Sequence, residues 1–110
     1  MLKIDYAELP TADMPASQAF FKKAFGWGFL DYGPEYQAFA DAGLDGGLDG
    51  SEARSKAPLV ILKADDLEAA LATVKAAGGE ITADIFAFPG GRRFQFREPG
   101  GNEMAVWSEG

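Results

Sequence analysis

The chain of 110 residues contains no cysteine and no histidine. Without cysteine it has no disulfide, no thiolate nucleophile and no zinc site built on thiolates. Without histidine it lacks the commonest general base of enzymes and the commonest protein ligand of transition metals. Any catalysis or metal binding therefore has to use other side chains.

Long apolar runs and an excess of basic residues are also missing. No stretch approaches the roughly 20 apolar residues of a membrane span, and the first residues do not lead into the apolar run of a signal peptide. The formal net charge is −7 and the isoelectric point about 4.4, which disfavours nucleic acid and anionic membrane surfaces as partners. We predict a cytoplasmic protein with no nucleic-acid and no membrane partner.

The sequence does contain the material for one packed domain. It is 47% hydrophobic and 13% aromatic, and its length suits one domain rather than two. Apolar periodicity and turn residues predict strands at 2–9, 26–31, 35–40, 44–50, 59–64, 81–86, 92–97 and 103–107, and helices at 13–25 and 66–77. The glycine-rich strand 44–50 lacks the Gly-Lys-Ser/Thr ending of a phosphate-binding loop.

The two halves of the chain have the same order of elements. Each has a strand, a helix capped by an aspartate (Asp13, then Asp65 or Asp66), a glycine stop and three strands. We predict an α+β fold of two βαβββ modules in a single domain over 1–110, with module one at about 1–50 and module two at about 57–110. Segment 51–57 is the predicted linker.

Each predicted helix has an apolar stripe that should cover one face of its sheet. In the first helix the stripe contains Ala16, Phe20 and Ala24, with Phe21 and Phe25 beside it. In the second helix the stripe contains Leu67, Ala70, Leu71, Val74 and Ala77. The opposite sheet face in each module is left for a partner or a ligand.

Several motifs resemble the vicinal-oxygen-chelate superfamily, which includes glyoxalase I, extradiol dioxygenases and bleomycin-resistance proteins. They are the turn Glu98-Pro99-Gly100-Gly101-Asn102 before the closing strand, the opening segment Tyr6 to Asp13, and the sequences Ala19-Phe20-Phe21 and Phe25-Gly26-Trp27. The resemblance covers nearly the whole chain. It implies two βαβββ modules paired into a curved mixed sheet around a cleft, and it implies a homodimer.

The resemblance also implies where the metalloenzymes of this superfamily bind their metal. Three of the four ligand positions correspond to Tyr6, Leu59 and Ala105. The fourth lies around Tyr36 to Leu48, and the middle of that region offers only Gln37 and Asp41. Leucine and alanine have no donor atom, and tyrosine is a poor ligand at neutral pH. We therefore expect no metal and no other cofactor.

Strand alternation predicts the lining of a mostly apolar, aromatic cleft. The predicted ligand-binding residues are Tyr6, Glu8, Leu59, Ile61, Arg93, Gln95, Glu103, Ala105 and Trp107. The same alternation directs Asp5 to the opposite side of the first strand, and Phe94 and Phe96 under the second helix. Trp107 and Tyr6 are suited to stack on a planar ligand, and Glu8 to pair with a cation.

These residues also have plain structural interpretations, which the sequence leaves open. Trp107 can cap the core, Tyr6 can serve packing, and Glu8 and Arg93 can form an ion pair. Trp27 and Phe29 are better suited to the core or a dimer contact than to a site. Our leading hypothesis is a metal-free protein that binds or sequesters a planar or cationic compound. The alternatives are a glyoxalase-like lyase, isomerase or dioxygenase with substitute ligands or a glutamate base, and a domain that only mediates dimerisation or regulation.

Overall fold

The computed structural model describes residues 2–110, which form eight strands and two α-helices. In chain order the elements are β1 (Lys3–Pro10), α1 (Met14–Phe25), β2 (Gly28–Asp31), β3 (Tyr36–Ala40), β4 (Gly46–Asp49), β5 (Leu59–Lys63), α2 (Leu67–Ala76), β6 (Glu80–Phe88), β7 (Gly91–Arg97) and β8 (Glu103–Ser108). The order βαβββ occurs twice, which confirms the predicted α+β fold. Neither helix in residues 2–110 has the length and apolar character needed to cross a membrane.

The chain divides into two compact units. The first unit is Tyr6–Leu59, and the second is Val60–Gly110 with the residues up to Asp5. The strands of the first unit lie in the order β2-β3-β4-β1, with β1 parallel to β4 and the other pairs antiparallel. The strands of the second unit lie in the order β5-β8-β7-β6, with β5 parallel to β8. Each unit is therefore built on a mixed four-stranded sheet.

The helices begin at the predicted aspartates. The carboxylate of Asp13 accepts a hydrogen bond from the Ala16 amide, and that of Asp66 accepts one from the Ala69 amide, each at 3.0 Å. These bonds satisfy amides that the first turn of a helix leaves without a partner. Gly26 ends α1 in the left-handed conformation, with φ at 74°, which a residue without a side chain adopts at little cost.

The core of the second unit lies between α2 and its sheet. Its buried members are Ala64, Leu67, Ala70, Phe94, Phe96 and Val106. Phe94 is opposite Val106 in the β7–β8 register, and neither side chain is exposed. The predicted positions of Phe94 and Phe96 under the second helix are confirmed, as is the stripe of that helix except for Ala77, which is exposed.

The predicted apolar face of the first helix is confirmed at Phe21 but wrong at its other four residues. Ala16, Phe20 and Ala24 are exposed, and no residue of α1 is buried. The side chain that packs toward the sheet is Phe21, which stacks on Trp27 at 4.9 Å between ring centroids and meets Phe39 edge-on at 6.3 Å. Since Phe20 and Phe21 are adjacent, the aromatic contacts of Phe21 rotate the helix and turn Phe20 outward.

Trp27 and Phe29 belong to this aromatic cluster of the first unit. Their ring centroids lie 5.2 and 6.0 Å from that of Phe39. Such pairs contribute about 0.5–1.5 kcal/mol beyond their buried area. The contacts favour a packing role for both residues within the first unit.

The turn that precedes β8 is organised by its first residue. The Glu98 carboxylate accepts hydrogen bonds from the Gly100 amide at 2.6 Å and the Asn102 amide at 3.1 Å. These bonds, together with the Asn102 side chain, hold the pKa of Glu98 below its usual value. The acidic residue of this sequence motif therefore shapes the backbone that leads into the closing strand.

A pair of substitutions compares a buried ring of β7 beneath α2 with an exposed ring on α1. We expect Phe94→Ala to lower the free energy of unfolding by about 3–5 kcal/mol, because Phe94 fills a fully buried position. We expect Phe20→Ala to lower it by less than about 1 kcal/mol, because Phe20 is 59% exposed. Urea unfolding followed by circular dichroism measures both. Equal losses would contradict the orientation of α1.

Candidate functional site

A chain of three hydrogen-bonded side chains lies in the first unit. The Tyr36 hydroxyl donates to the Glu8 carboxylate at 3.0 Å, and the Tyr6 and Tyr36 hydroxyls are 2.5 Å apart. Because the Tyr36 proton points to Glu8, Tyr6 is the donor in the second bond. The Glu8 residue is only 6% exposed, so these hydroxyls help to satisfy a carboxylate that has lost most of its contact with water.

The position of Tyr36 depends on a glycine in β4. Glu8 is opposite Gly47 in the β1–β4 register, and Ala38 is opposite Gly47 in the β3–β4 register. A Cβ atom at Gly47 would lie 2.7 Å from the Tyr36 ring and from its hydroxyl. The ring therefore lies over the bare backbone of β4, and this places its hydroxyl beside Glu8.

Tyr36 remains a neutral hydrogen-bond donor over a wide pH range. Burial raises the pKa of its hydroxyl, and the nearby Glu8 charge and the bond from Tyr6 raise it further. All three effects disfavour the phenolate. The Tyr36 hydroxyl thus keeps its proton and donates a hydrogen bond to the Glu8 carboxylate.

Trp107 is at the centre of a second group of side chains, in the second unit. Its indole N–H donates to the two Asp5 carboxylate oxygens, at 3.1 and 3.3 Å. The Lys63 ammonium lies 5.0 Å from the centre of the indole and pairs with Glu109 at 3.0 Å. The Phe88 ring is 6.3 Å away. Asp5 therefore fixes the polar edge of the Trp107 indole, and the Lys63 ammonium lies against one of its faces.

A polar network crosses the adjacent strands of the second unit. Arg93 donates to Gln95 at 2.9 Å, and Gln95 donates to Glu103 at 3.3 Å. Thr82 also donates to Glu103, at 2.7 Å. The Arg93 guanidinium lies 5.4 Å from the centre of the Phe86 ring. The predicted residues Arg93, Gln95 and Glu103 are therefore neighbours, joined by direct hydrogen bonds.

Three other predicted lining residues are almost fully buried. Leu59, Ile61 and Ala105 are 1%, 3% and 0% exposed. In the β5–β8 register Ile61 is opposite Ala105. These side chains contribute packing surface, whereas the partly exposed Gln95, Glu103 and Trp107 keep surface that a ligand can reach.

The residues at the superfamily's metal positions do not fit a divalent cation. Leu59 and Ala105 are buried hydrocarbons, and the Tyr6 hydroxyl is bound to Tyr36. Gln37 donates to Asp31 and to the Gly33 carbonyl within a turn, and Asp41 is exposed in the left-handed conformation. Within residues 2–110 no three acidic side chains cluster as metal ligands would.

Sequence reasoning missed several members of these groups, notably Asp5, Tyr36, Gly47, Lys63 and Thr82. Strict alternation put Asp5 on the side away from the site, but its carboxylate binds the Trp107 indole. Gly47 did carry a signal, because a glycine inside a strand often marks the close approach of another group.

Two surface grooves lie in the first unit, and none of the nine predicted residues lines either of them. One, of about 660 Å³, is lined by Pro10, Ala12, Glu52, Arg54, Ser55 and Lys56. The other, of about 470 Å³, is lined by Tyr32, Gly33, Pro34, Glu35, Tyr36, Asp49 and Ser51. Tyr36 connects the second groove to the buried hydroxyl chain.

The family model of the glyoxalase/bleomycin resistance protein/dioxygenase superfamily matches residues 3–106. The chain belongs to this superfamily, as its motifs indicated. Among proteins with curated functions, no sequence matches it.

Solved structures share the fold over nearly the whole chain. A superfamily member from Vibrio splendidus 12B01 is 19% identical with a TM-score of 0.71, and the match covers 99% of each chain. Methylmalonyl-CoA epimerase from Mycobacterium tuberculosis is 12% identical with a TM-score of 0.70, over 97% of this chain and 87% of the epimerase. A Mn(II)-bound glyoxalase from Novosphingobium aromaticivorans is 25% identical with a TM-score of 0.69, over 97% of this chain but 38% of the glyoxalase.

The hydroxyl chain predicts a specific loss of stability. Tyr36→Phe removes a donor from the buried Glu8 carboxylate, and a hydrogen bond to a charged group contributes about 1.5–3 kcal/mol. We expect a loss in that range at neutral pH. Tyr32→Phe changes a residue that is 68% exposed, so its effect should stay within about 0.5 kcal/mol. Equal effects in urea unfolding would contradict the role of Tyr36.

The Tyr36→Phe variant should also differ from the parent in how its free energy of unfolding changes at alkaline pH. Above pH of about 10 an unfolded tyrosine releases its proton, whereas folded Tyr36 keeps it because its pKa is raised. Its stabilising contribution is therefore complete below that pH and falls as the pH rises, by about 1.4 kcal/mol per pH unit. Tyr36→Phe should lose stability less steeply between about pH 10 and 11.5. Identical pH slopes for parent and variant would refute this.

Proposed function

We propose that the protein is a metal-free small-molecule-binding member of its superfamily, which holds a planar or cationic compound. The observation that carries the proposal is the chemistry at the metal positions. Leu59 and Ala105 are buried and have no donor, so the Lewis acid and redox chemistry of the metalloenzymes has no ligand set here. The aromatic and polar side chains that remain are suited to binding a planar or cationic compound.

The surroundings of Trp107 support the binding of a planar compound. The indole is fixed by Asp5, so its ring presents a flat surface without loss of side-chain freedom on binding. Gln95 and Glu103 are partly exposed, and they supply amide and carboxylate groups for the polar edge of a ligand. Lys63 shows that the indole face accepts a cation.

A second candidate is an isomerase that uses Glu8 as its base, and the hydroxyl chain favours it. Glu8 would accept a proton from the carbon next to a ligand carbonyl, which leaves an enolate, and would then return the proton to the ligand to complete the isomerisation. Tyr36 would keep that carboxylate in place. Structural neighbours include methylmalonyl-CoA epimerases, at 12% and 16% identity.

The two candidates differ in a direct assay. If Glu8 is a base, the protein should exchange the α-hydrogen of methylmalonyl-CoA with solvent deuterium, and Glu8→Gln should slow the exchange by at least about 100-fold. Mass spectrometry measures the exchange. We expect no exchange, because the leading proposal is a binding protein that carries out no chemistry. Exchange that depends on Glu8 would contradict the binding-protein proposal and support the isomerase.

The homodimer stays a prediction from the superfamily. The exposed Phe20 and Phe25 on α1 support it, at 59% and 58% exposure, because a contact with a second chain would remove these rings from water. The cytoplasmic location also stays a prediction.

Ligand binding can be assigned to a tryptophan, because the chain has only two. The probes are proflavine, a planar cation, and lumichrome, a planar neutral compound. We expect at least one to raise the melting temperature and to quench the fluorescence of Trp27→Phe, in which Trp107 is the remaining indole. Trp107→Phe is the matched control and should not be quenched.

Metal binding is tested on the same preparation. We expect no stoichiometric metal by mass spectrometry and no thermal shift with Ni²⁺, Zn²⁺ or Mn²⁺. Stoichiometric metal would overturn the metal-free proposal. Quenching confined to Trp107→Phe would move the ligand to Trp27 and away from the predicted cleft.

A further inference from the structure

The second groove of the first unit lies between the β2–β3 turn and the end of β4. Its seven lining residues lie in two stretches, 32–36 and 49–51, and its volume is about 470 Å³. That volume is within the range of small-molecule sites. None of these residues belongs to the predicted cleft.

One wall of the groove is a turn fixed by its neighbours. The Asp31 carboxylate accepts hydrogen bonds from the Gly33 amide and the Gln37 side chain, both at 2.8 Å. The Gln37 side chain also donates to the Gly33 carbonyl, at 2.9 Å. The same two donors hold the pKa of Asp31 below its usual value, so these bonds persist at neutral pH. The turn that carries Tyr32 is therefore preorganised.

The opposite wall is also fixed. The Ser51 amide donates to the Asp49 carboxylate at 2.9 Å, and the Gly50 amide donates to the Glu35 carbonyl at 2.8 Å. Tyr36, which also lines the groove, is held by the hydrogen bond from its hydroxyl to Glu8. A ligand would thus meet a shape that already exists, which lowers the entropic cost of binding.

The lining is aromatic and acidic. Its lining residues include two tyrosines, Tyr32 and Tyr36, and two acidic residues, Glu35 and Asp49, and they include no lysine or arginine. The whole chain carries a net charge of −7. Aromatic faces attract cations through the ring quadrupole, and nearby carboxylates add Coulombic attraction.

We propose that this groove is a binding site for a substituted ammonium ion. The alkyl groups of such a cation would pack on Tyr32 and Tyr36, and Glu35 and Asp49 would balance its charge. Metal cations fit the groove less well, because they require convergent oxygen ligands and gain little from rings. The site depends on residues of the first unit only, so it is independent of the proposed ligand at Trp107.

The test compares two compounds of the same shape. Choline carries a trimethylammonium group, and 3,3-dimethyl-1-butanol replaces it with an uncharged tert-butyl group. We expect choline to shift the amide resonances of 32–36 and 49–51 in the ¹⁵N-labelled full chain and to saturate in the millimolar range. The alcohol should bind at least about fivefold more weakly, the effect of losing about 1 kcal/mol of cation–π and charge attraction.

Variants assign the contacts. Tyr32→Ala and Glu35→Gln should each weaken choline binding by about threefold or more, whereas Tyr32→Phe, which keeps the ring, should not. Phe20→Ala removes another exposed ring of the same unit and is the matched control. Unfolding curves of each variant verify that it is folded.

Three outcomes would overturn the proposal. The first is equal binding of choline and the alcohol, and the second is unchanged affinity in both Tyr32→Ala and Glu35→Gln. The third is a set of shifts confined to the neighbourhood of Trp107. That result would support ligand binding at Trp107 and contradict ammonium binding in the groove. The two proposals can therefore fail separately.

Discussion

The buried carboxylate of Glu8 is the constraint on which the first unit depends. At 6% exposure it requires donors from the protein, and Tyr36 reaches it only because Gly47 has no side chain. Gly47 is held there by pairing with β1 on one side and β3 on the other. The backbone around Tyr36 continues into the turn that Asp31 fixes. The buried Glu8 carboxylate is thus connected to the pairing of β1 with β4, to the position of the Tyr36 ring and to the turn beside the second groove.

In the second unit, contacts within the protein occupy Ala105 and the neighbouring Glu103. Glu103 accepts hydrogen bonds from Gln95 and Thr82, and the Ala105 position is filled by packing against the sheet. Carboxylates that bind neighbouring side chains stabilise one arrangement of the strands but are poorly placed to serve as metal ligands. The clearest pairing of a ring with a polar group at its edge in this unit is that of Trp107 with Asp5.

Much of the fold could be predicted because its signals are local. Asp13 and Asp66 cap helices through bonds to residues three positions away, and alternation correctly put Phe94 and Phe96 in the core. The errors lie where local patterns are ambiguous. Adjacent Phe20 and Phe21 fit two rotations of α1, and only the ring of Trp27 selects one. Asp5 contacts Trp107 although strict alternation directed it elsewhere.

The sequence by itself determined the repeated order of elements and the superfamily, since both depend on residue type and spacing. Only the tertiary structure decided which side chains meet. Tyr36 lies 28 residues from Glu8, and Trp107 lies 102 residues from Asp5. Contacts over such separations follow from strand register and from the room left by Gly47, and neither leaves a periodic signal along the chain. The groove beside Tyr32 is likewise a product of two distant segments, and its chemistry became visible only when they were brought together.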